Sequence, residues 1–154
     1  MDISVPYTLS TSGGTIVFNN GNLNSYTDLF WITNGTGLDG APLRTPIDNA
    51  PQADGGLIHT FWKGPRHVVI EGIFLIQSTH VMTSIRLARN SMAQSLLTAL
   101  NSIYQADGTL SWTPAGGSLH TLTVRNDVPL NTVYGDNYLS YNFSFGLVAA
   151  SPSY

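Results

Sequence analysis

One helical stripe interrupts a sequence whose other apolar runs have the spacing of β-strands. A set of apolar residues recurs at three- and four-residue steps: Ile85, Ala88, Met92, Leu96, Ala99, Leu100 and Ile103. This spacing marks one face of an α-helix. It predicts a single long helix from about Met82 to Tyr104, which at about 1.5 Å per residue crosses the face of a small sheet.

The remaining apolar segments predict strands. In Tyr138 to Ala149, large apolar residues alternate with Ser, Asn and Gly, so one face of this strand is expected to be buried. In His67 to Ile76 both alternation sets are mostly apolar, which is typical of a central strand covered on both faces. Shorter strands are predicted at Thr15–Asn19, Ser25–Thr33, Leu57–Trp62, Thr109–Thr113 and Leu119–Asn126.

The order of these elements predicts the fold class. Strands precede and follow one helix, which indicates an α+β, mainly β protein: an antiparallel β-sandwich or open barrel with the helix packed against it. Ser25–Thr33 is expected to pair back on Thr15–Asn19 across the turn at residues 19–22. A chain of 154 residues is expected to form a single domain, 1–154.

The segment from Asn34 to Gly56 departs from the strand pattern. It is rich in Gly and Pro and has no apolar period, which predicts an irregular stretch longer than most loops of compact domains. Because it carries Leu38, Leu43 and Ile47 together with Arg44, we interpret it as a protruding arm that docks on another subunit or a ligand. Simple mobility is the alternative interpretation.

The chain is poor in charge. Charged residues make up 10% of it, against about 25% in an average soluble protein. Interface cores are depleted in charge, so the deficit favours an exterior partly buried against other proteins, and a neutral extracellular β-domain is the alternative. Six Lys and Arg against nine Asp and Glu provide no basic stripe, so nucleic-acid binding is not expected.

Membrane insertion is not expected either. No stretch approaches the roughly 20 apolar residues of a spanning helix, and the N-terminus lacks the pattern of a signal peptide, so the chain is expected to stay where it is made. The chain contains no cysteine, which excludes disulfides, thiolate metal sites and cysteine nucleophiles.

The polar residues form no catalytic or cofactor pattern. The histidines, His59, His67, His80 and His120, lack metal-ligand spacing, and most Asp residues adjoin Gly or Asn in turns, where carboxylates cap the backbone. No Gly-Gly step leads into the Lys-Ser/Thr of a phosphate loop, and no Ser lies in a nucleophile elbow. We predict that the protein is not an enzyme and has no metal and no cofactor.

Glu71 is the only Glu and lies within an apolar strand, so it is expected to meet an Arg, to lie near a sheet edge or to face a lumen.

The three tryptophans allow an alternative function, a carbohydrate-binding platform; they are Trp31, Trp62 and Trp112. Packing is the preferred interpretation, because the last strand places its aromatic residues on one face, opposite Ser and Asn.

A series of short motifs follows along nearly the whole chain: Gly13–Asn19, Asp54–Gly56, Arg66–Ile73, Arg86–Arg89, Asp107–Leu110, Leu122–Arg125 and Tyr141–Ala149 followed by Ser151-Pro152. In this order they resemble the N-terminal, ring-forming domain of the distal tail proteins of long-tailed bacteriophages. The resemblance implies a β-sandwich with one helix, related to the tail-tube fold, and an arm that embraces the next subunit of a hexameric ring.

The resemblance also implies partners and a location. Such rings join the tail tube to the tip or baseplate, so the implied partners are copies of this chain, the tail tube protein, the tip or baseplate hub protein and the tape measure protein. The implied location is the tail tip of the virion, after synthesis in the host cytoplasm. Many family members carry a C-terminal carbohydrate-binding or OB-like domain, whereas this chain stops at Tyr154, so we expect a connector that does not itself bind sugar.

Ring closure requires one patch to meet a different patch on the next copy. The residues predicted at this subunit interface are Leu38, Leu43, Arg44 and Ile47 in the arm and Arg86 and Arg89 in the helix. A free carbohydrate-binding β-sandwich module is the alternative function, and a tail tube or tail terminator ring protein is a second one. A small hydrolase is a further class, for which the sequence offers no residue pair.

Overall fold

The computed structural model describes residues 4–21, 28–38, 43–44, 47–49, 56–58, 62–63, 65–76, 82–134 and 141–149. The elements, in chain order, are β1 (Tyr7–Thr11), β2 (Gly14–Phe18), β3 (Leu29–Thr36), β4 (Leu43–Arg44), β5 (Ile47–Asn49), β6 (Gly56–Ile58), β7 (Trp62–Lys63), β8 (Arg66–Leu75), α1 (Met82–Ser102), β9 (Gly108–Trp112), β10 (His120–Tyr134) and β11 (Tyr141–Ala149).

Seven of these strands close into a barrel in the order β1-β2-β3-β8-β11-β10-β9. The predicted fold class, mainly β with one helix, is confirmed, and the barrel is closed. Its pairs are antiparallel except for β2 and β3, which run parallel where Phe18 lies beside Phe30. The expected antiparallel pairing of these two strands is therefore wrong. The hairpin at the start of the chain joins β1 to β2 through Ser12 and Gly13.

The inward positions of the barrel strands form an aromatic core. Phe18, Phe30, Phe74, Phe143 and Phe145 pack with ring centroids 5.0–6.4 Å apart. The alternation predicted for the last strand is confirmed, because the large apolar residues of β11 point inward. This core stabilises the barrel, since full burial of a Phe side chain contributes about 2–3 kcal/mol.

Helix α1 covers the barrel interior beside β1, β2 and β10. Its buried stripe belongs to the same core as the inward strand residues: Met92, Leu96, Ala99, Leu100 and Ile103. The predicted helix is confirmed, although it ends at Ser102, two residues before Tyr104. The carbonyl of Ile103 accepts a 3.0 Å hydrogen bond from the backbone N–H of Asn126, which ties the end of the helix to β10.

Strand β10 is longer than predicted. It continues past Asn126 to Tyr134 and crosses two register irregularities against β11. The buried Asn126 side chain holds the first irregularity, because its Nδ2 donates to the carbonyls of Val128 (2.9 Å) and Gly146 (3.0 Å). A bulged strand of this length curves with the barrel, and the sequence shows only the alternation before the bulge.

The described parts of the predicted arm are strands. Leu43 and Arg44 of β4 lie opposite Lys63 and Trp62 of β7, and β5 pairs with β6 further along the same segment. We call residues 43–63 the arm hairpin. The prediction of an irregular stretch is wrong at these positions, and Asn34 to Thr36 belong to barrel strand β3. Whether the arm hairpin docks on a neighbour stays a prediction.

Candidate functional site

The outward positions of β3, β8, β11 and β10 line up in three rows across the barrel wall. The rows, from the strand registers, are Trp31–Ile73–Asn142–Val133, Asn34–Glu71–Ser144–Asn131 and Thr36–Val69–Gly146–Val128. We call these twelve residues the sheet face. Alternation decides the direction of each side chain, because the residues between the rows fill the core.

The sheet face combines exposed apolar side chains with neutral polar ones. Val69, Val128 and Val133 are 41%, 50% and 52% exposed. A Cβ atom built on Gly146 would lie 2.8 Å from the side chain of Val128, so glycine is required for this valine to lie over β11. Exposed branched apolar side chains grouped on one sheet surface favour a surface that another molecule covers.

Glu71 is the one charged residue in these three rows. Its Oε2 accepts a 2.9 Å hydrogen bond from Nδ2 of Asn34, and its side chain is exposed. Strand β8 lies between β3 and β11, so the expectation of a sheet edge is wrong. Among the described residues no cation lies within ion-pair distance of it, so the expected Arg partner is absent there. The third expectation, a lumen, stays a prediction.

A shallow groove of about 410 Å³ crosses the sheet face around Glu71. Its walls combine hydroxyls and amides with apolar side chains; they include Thr33, Ile73, Asn131 and Ser144. The groove lies outside Gly72, where a Cβ atom would overlap the ring of Phe143 and the carbonyl of Trp31. It is a depression in a mostly neutral surface.

The side of α1 opposite the core forms a second exposed surface. Residues within an arc of about 100° of the helix, at about 100° per residue, include Arg86, Leu87, Asn90, Gln94 and Leu97. We call these five residues the helix face. Leu87 is 67% exposed and Leu97 36%. Asn90, Gln94 and Leu97 also line a groove of about 300 Å³ between the helix and Leu130 of β10.

The residues predicted at the subunit interface differ in how far they are exposed to solvent. Arg86 is exposed, in keeping with the prediction. Arg89 is 8% exposed and its guanidinium lies 5.0 Å from the ring centroid of Tyr141, so it belongs mainly to the chain's own packing. Leu38 is 4% exposed and joins the core, and its carbonyl accepts a hydrogen bond from Arg66.

Three further predicted interface residues lie in the arm hairpin. Leu43 and Arg44 begin it and Ile47 follows them, each paired across the hairpin with the returning strand. Their side chains lie outside the described part of the structure. Neither the hairpin nor the helix residues are thereby shown to contact another subunit, so the interface stays a prediction.

The tryptophans differ in their surroundings. Trp112 is 8% exposed and stacks between Tyr7 and His120, at centroid distances of 5.9 and 5.4 Å, which is a packing role. Trp31 is half-buried at the edge of the sheet face. The side chain of Trp62 lies outside the described residues. At the outward strand positions whose side chains the structure describes, no second tryptophan therefore lies beside Trp31.

Within the described ranges, no group of three His, Asp or Glu side chains is arranged to hold a metal ion. The one helix described there is too polar to span a bilayer.

No protein family model matches the sequence, and no curated protein does. A solved structure does match: the SPP1 Dit protein, described as a paradigm of the hub adsorption apparatus in phages that infect Gram-positive bacteria. The match has a TM-score of 0.56 and 14% sequence identity, and it covers 95% of this chain. The two share a fold.

The likeness confirms, at the level of the fold, the resemblance carried by the sequence motifs. It spans 50% of the Dit chain, so the present chain covers about half the length of the structure it matches. The sequence motifs pointed to the fold, whereas the sheet face and the helix face were missed. The apolar run of β8 and the alternation in β11 located the strands, but one side of β8 is exposed in this chain, and which outward residues share a surface depends on registers between strands distant in sequence.

Proposed function

We propose that this chain is a structural subunit of a phage tail, a ring-forming connector that joins the tail tube to the tip or baseplate. The observation that carries the proposal is the fold shared with the SPP1 Dit protein along 95% of this chain. The partners proposed are further copies of the chain in a hexameric ring, the tail tube protein, the hub protein of the tip and the tape measure protein. The proposed location is the virion tail tip, after synthesis in the host cytoplasm.

The surface chemistry supports a role in assembly. Only 10% of the residues are charged, and the sheet face and the helix face both expose large apolar side chains. A ring needs two different complementary patches on every copy. These two faces are different patches, since one lies on the exposed side of α1 and the other on the outward positions of β3, β8, β11 and β10.

The arm hairpin supports the same role. It is inserted between β3 and β8, two barrel strands that are neighbours in the sheet, and its strands pair with one another. Described strands that pair with one another, and not with the barrel, suit the prediction that the arm embraces the next subunit.

The solution mass of the purified chain tests the proposal. Six copies of the 16.6 kDa chain weigh about 100 kDa. We expect light scattering to give this mass and negative-stain images of the same sample to show a closed ring with a central hole. A chain that remains a monomer at about 10 mg/ml in both measurements contradicts self-assembly into a ring.

Sugar binding is the competing function and has its own measurement. A free carbohydrate-binding module is monomeric, and oligosaccharides change its tryptophan fluorescence. We expect no change on addition of cellohexaose, maltohexaose or chitohexaose at millimolar concentration. Saturable quenching that the variant Trp31→Phe abolishes would favour the sugar-binding module.

A further inference from the structure

We propose that the sheet face of one copy packs against the helix face of the next copy, with Glu71 of the first paired to Arg86 of the second. This inference rests on the proposed ring and identifies the two surfaces that close it. It commits to a second copy of this chain as the occupant of the sheet face.

Charge complementarity is the first argument. Glu71 is the single charge in the three rows of the sheet face, and Arg86 is the single charge on the helix face. Both side chains are exposed, and among the described residues neither has an ion-pair partner within its own chain. The other exposed Arg of the described chain, Arg125, is already paired with Asp107, whose Oδ1 lies 2.6 Å from its Nε. Each face therefore presents one unmatched charge of opposite sign.

The apolar side chains match in spacing. Leu87 and Leu97 lie ten residues apart along the helix, which is about 15 Å. Val128 and Val133 lie opposite Gly146 and Asn142, which are four residues apart along β11, or about 13 Å. Both pairs are exposed. Contact between them would remove from water the most exposed apolar side chains of each face.

The opposite wall of the barrel provides the contrast. The outward positions of β1, β2, β9 and β10 there carry Thr8, Ser10, Thr15, Val17, Thr109, Ser111, Thr121 and Thr123. None of these is a large exposed apolar residue. A wall made mostly of hydroxyl side chains is well hydrated and gains little from being covered, whereas the sheet face gains apolar burial. The two walls are therefore not equivalent, and the sheet face is the one suited to a partner.

The area of the sheet face is too small to hold two copies together without a second contact. Four strands about 4.8 Å apart and five residues long give a footprint of roughly 300–400 Å². A stable interface buries about 800 Å² on each partner. The sheet face and helix face therefore form part of the contact between copies, and the arm hairpin is expected to supply the remainder.

Charge reversal tests the pairing in the full-length chain. Glu71→Arg and Arg86→Glu each place like charges opposite one another, so each is expected to raise the dissociation constant of the ring by about tenfold or more. The double variant Glu71→Arg with Arg86→Glu restores opposite charges and is expected to recover the ring. Asp107→Arg is the matched control for Glu71→Arg and Arg125→Glu for Arg86→Glu, because each makes the same change in net charge outside both faces.

The readout is mass by light scattering across a dilution series, with circular dichroism melts to show that each variant is folded. Loss of the ring in both single variants and its recovery in the double variant support the contact. A wild-type ring that both single variants retain overturns the contact and leaves the proposed function standing. A wild-type chain that stays monomeric refutes the ring and this contact together.

Discussion

Asn19 links β2 to β3, the one parallel pair among the described barrel strands. Its replacement tests which interactions stabilise this pairing. It lies at the end of β2 with a φ of 56°, in the left-handed region that asparagine tolerates better than most residues. Its Oδ1 accepts a 2.7 Å hydrogen bond from the backbone N–H of Ile32, and its own N–H donates to the carbonyl of Phe30 at 2.9 Å. Asn19 is 5% exposed and Ile32 is fully buried.

Two variants separate the hydrogen bond from the backbone conformation. Asn19→Gly keeps the left-handed backbone but leaves the buried N–H of Ile32 without its acceptor, which costs about 1–3 kcal/mol. Asn19→Ala loses the same bond and adds about 1–2 kcal/mol for the left-handed conformation. The glycine variant loses about 0.5–1 kcal/mol of this advantage over alanine, because glycine has more conformational freedom in the unfolded chain. Alanine is therefore expected to be about 0.5–1 kcal/mol less stable than glycine.

Urea unfolding followed by tryptophan fluorescence measures these differences. With a slope of about 2 kcal/mol per molar urea, the midpoint of Asn19→Gly should fall by about 0.5–1.5 M. The exposed neighbour provides the control, since Asn20→Ala is expected to change stability by less than about 0.5 kcal/mol. Each variant is measured at two protein concentrations, because assembly makes the midpoint depend on concentration. A wild-type midpoint for Asn19→Gly refutes the role of the side-chain hydrogen bond, and equal midpoints for glycine and alanine refute the backbone argument.

Four further changes have expected outcomes. Replacing residues 43–63 by a short Gly-Ser linker should leave the circular dichroism spectrum of a folded barrel and abolish the ring on light scattering, and a ring that survives would contradict the role of the arm hairpin. Asn126→Ala removes the donor to the carbonyls of Val128 and Gly146 and should lower the free energy of unfolding by about 1–3 kcal/mol in urea titrations. Leu96→Ala empties a fully buried position between helix and barrel and should cost about 2–5 kcal/mol, seen as a lower melting temperature. Arg125→Ala breaks a pair exposed by more than half on both sides and should cost less than about 1 kcal/mol, so a larger loss would show that the pair is more than a surface contact.

Local patterns predicted the elements that one stretch of chain can specify. The stripe through Met92, Leu96 and Ile103 located the helix, because a 3.6-residue period depends only on neighbouring positions. The alternation in β11 located the strand and its buried face for the same reason. The segment after Asn34 was predicted poorly, since Gly and Pro indicate turns but do not exclude the short ladders that join β4 to β7 and β5 to β6.

The candidate interface residues show the same limit. Leu38 follows several Gly residues, and the sequence offered no sign that it is covered. Arg89 lies four residues after Ile85 and three before Met92, so the helical period already places it beside the buried stripe, and its charge alone suggested exposure. Leu38 is buried because Gly37, at a φ of 87°, lets the chain approach the carbonyl of His67. Arg89 is buried because Tyr141 lies beneath its guanidinium. Both contacts join parts of the chain that are far apart in sequence.

The sequence by itself determined the secondary structure types, the single long helix, the scarcity of charge and the motifs that resemble distal tail proteins. These depend on composition and on periodicity within short windows. Only the tertiary structure decided that the sheet closes into a barrel, that β3 joins β2 in parallel, and that Val69, Val128 and Val133 share one surface around Glu71. The physical reason is register: a shift of one residue between paired strands sends every side chain to the opposite face, and register is fixed by packing between distant segments.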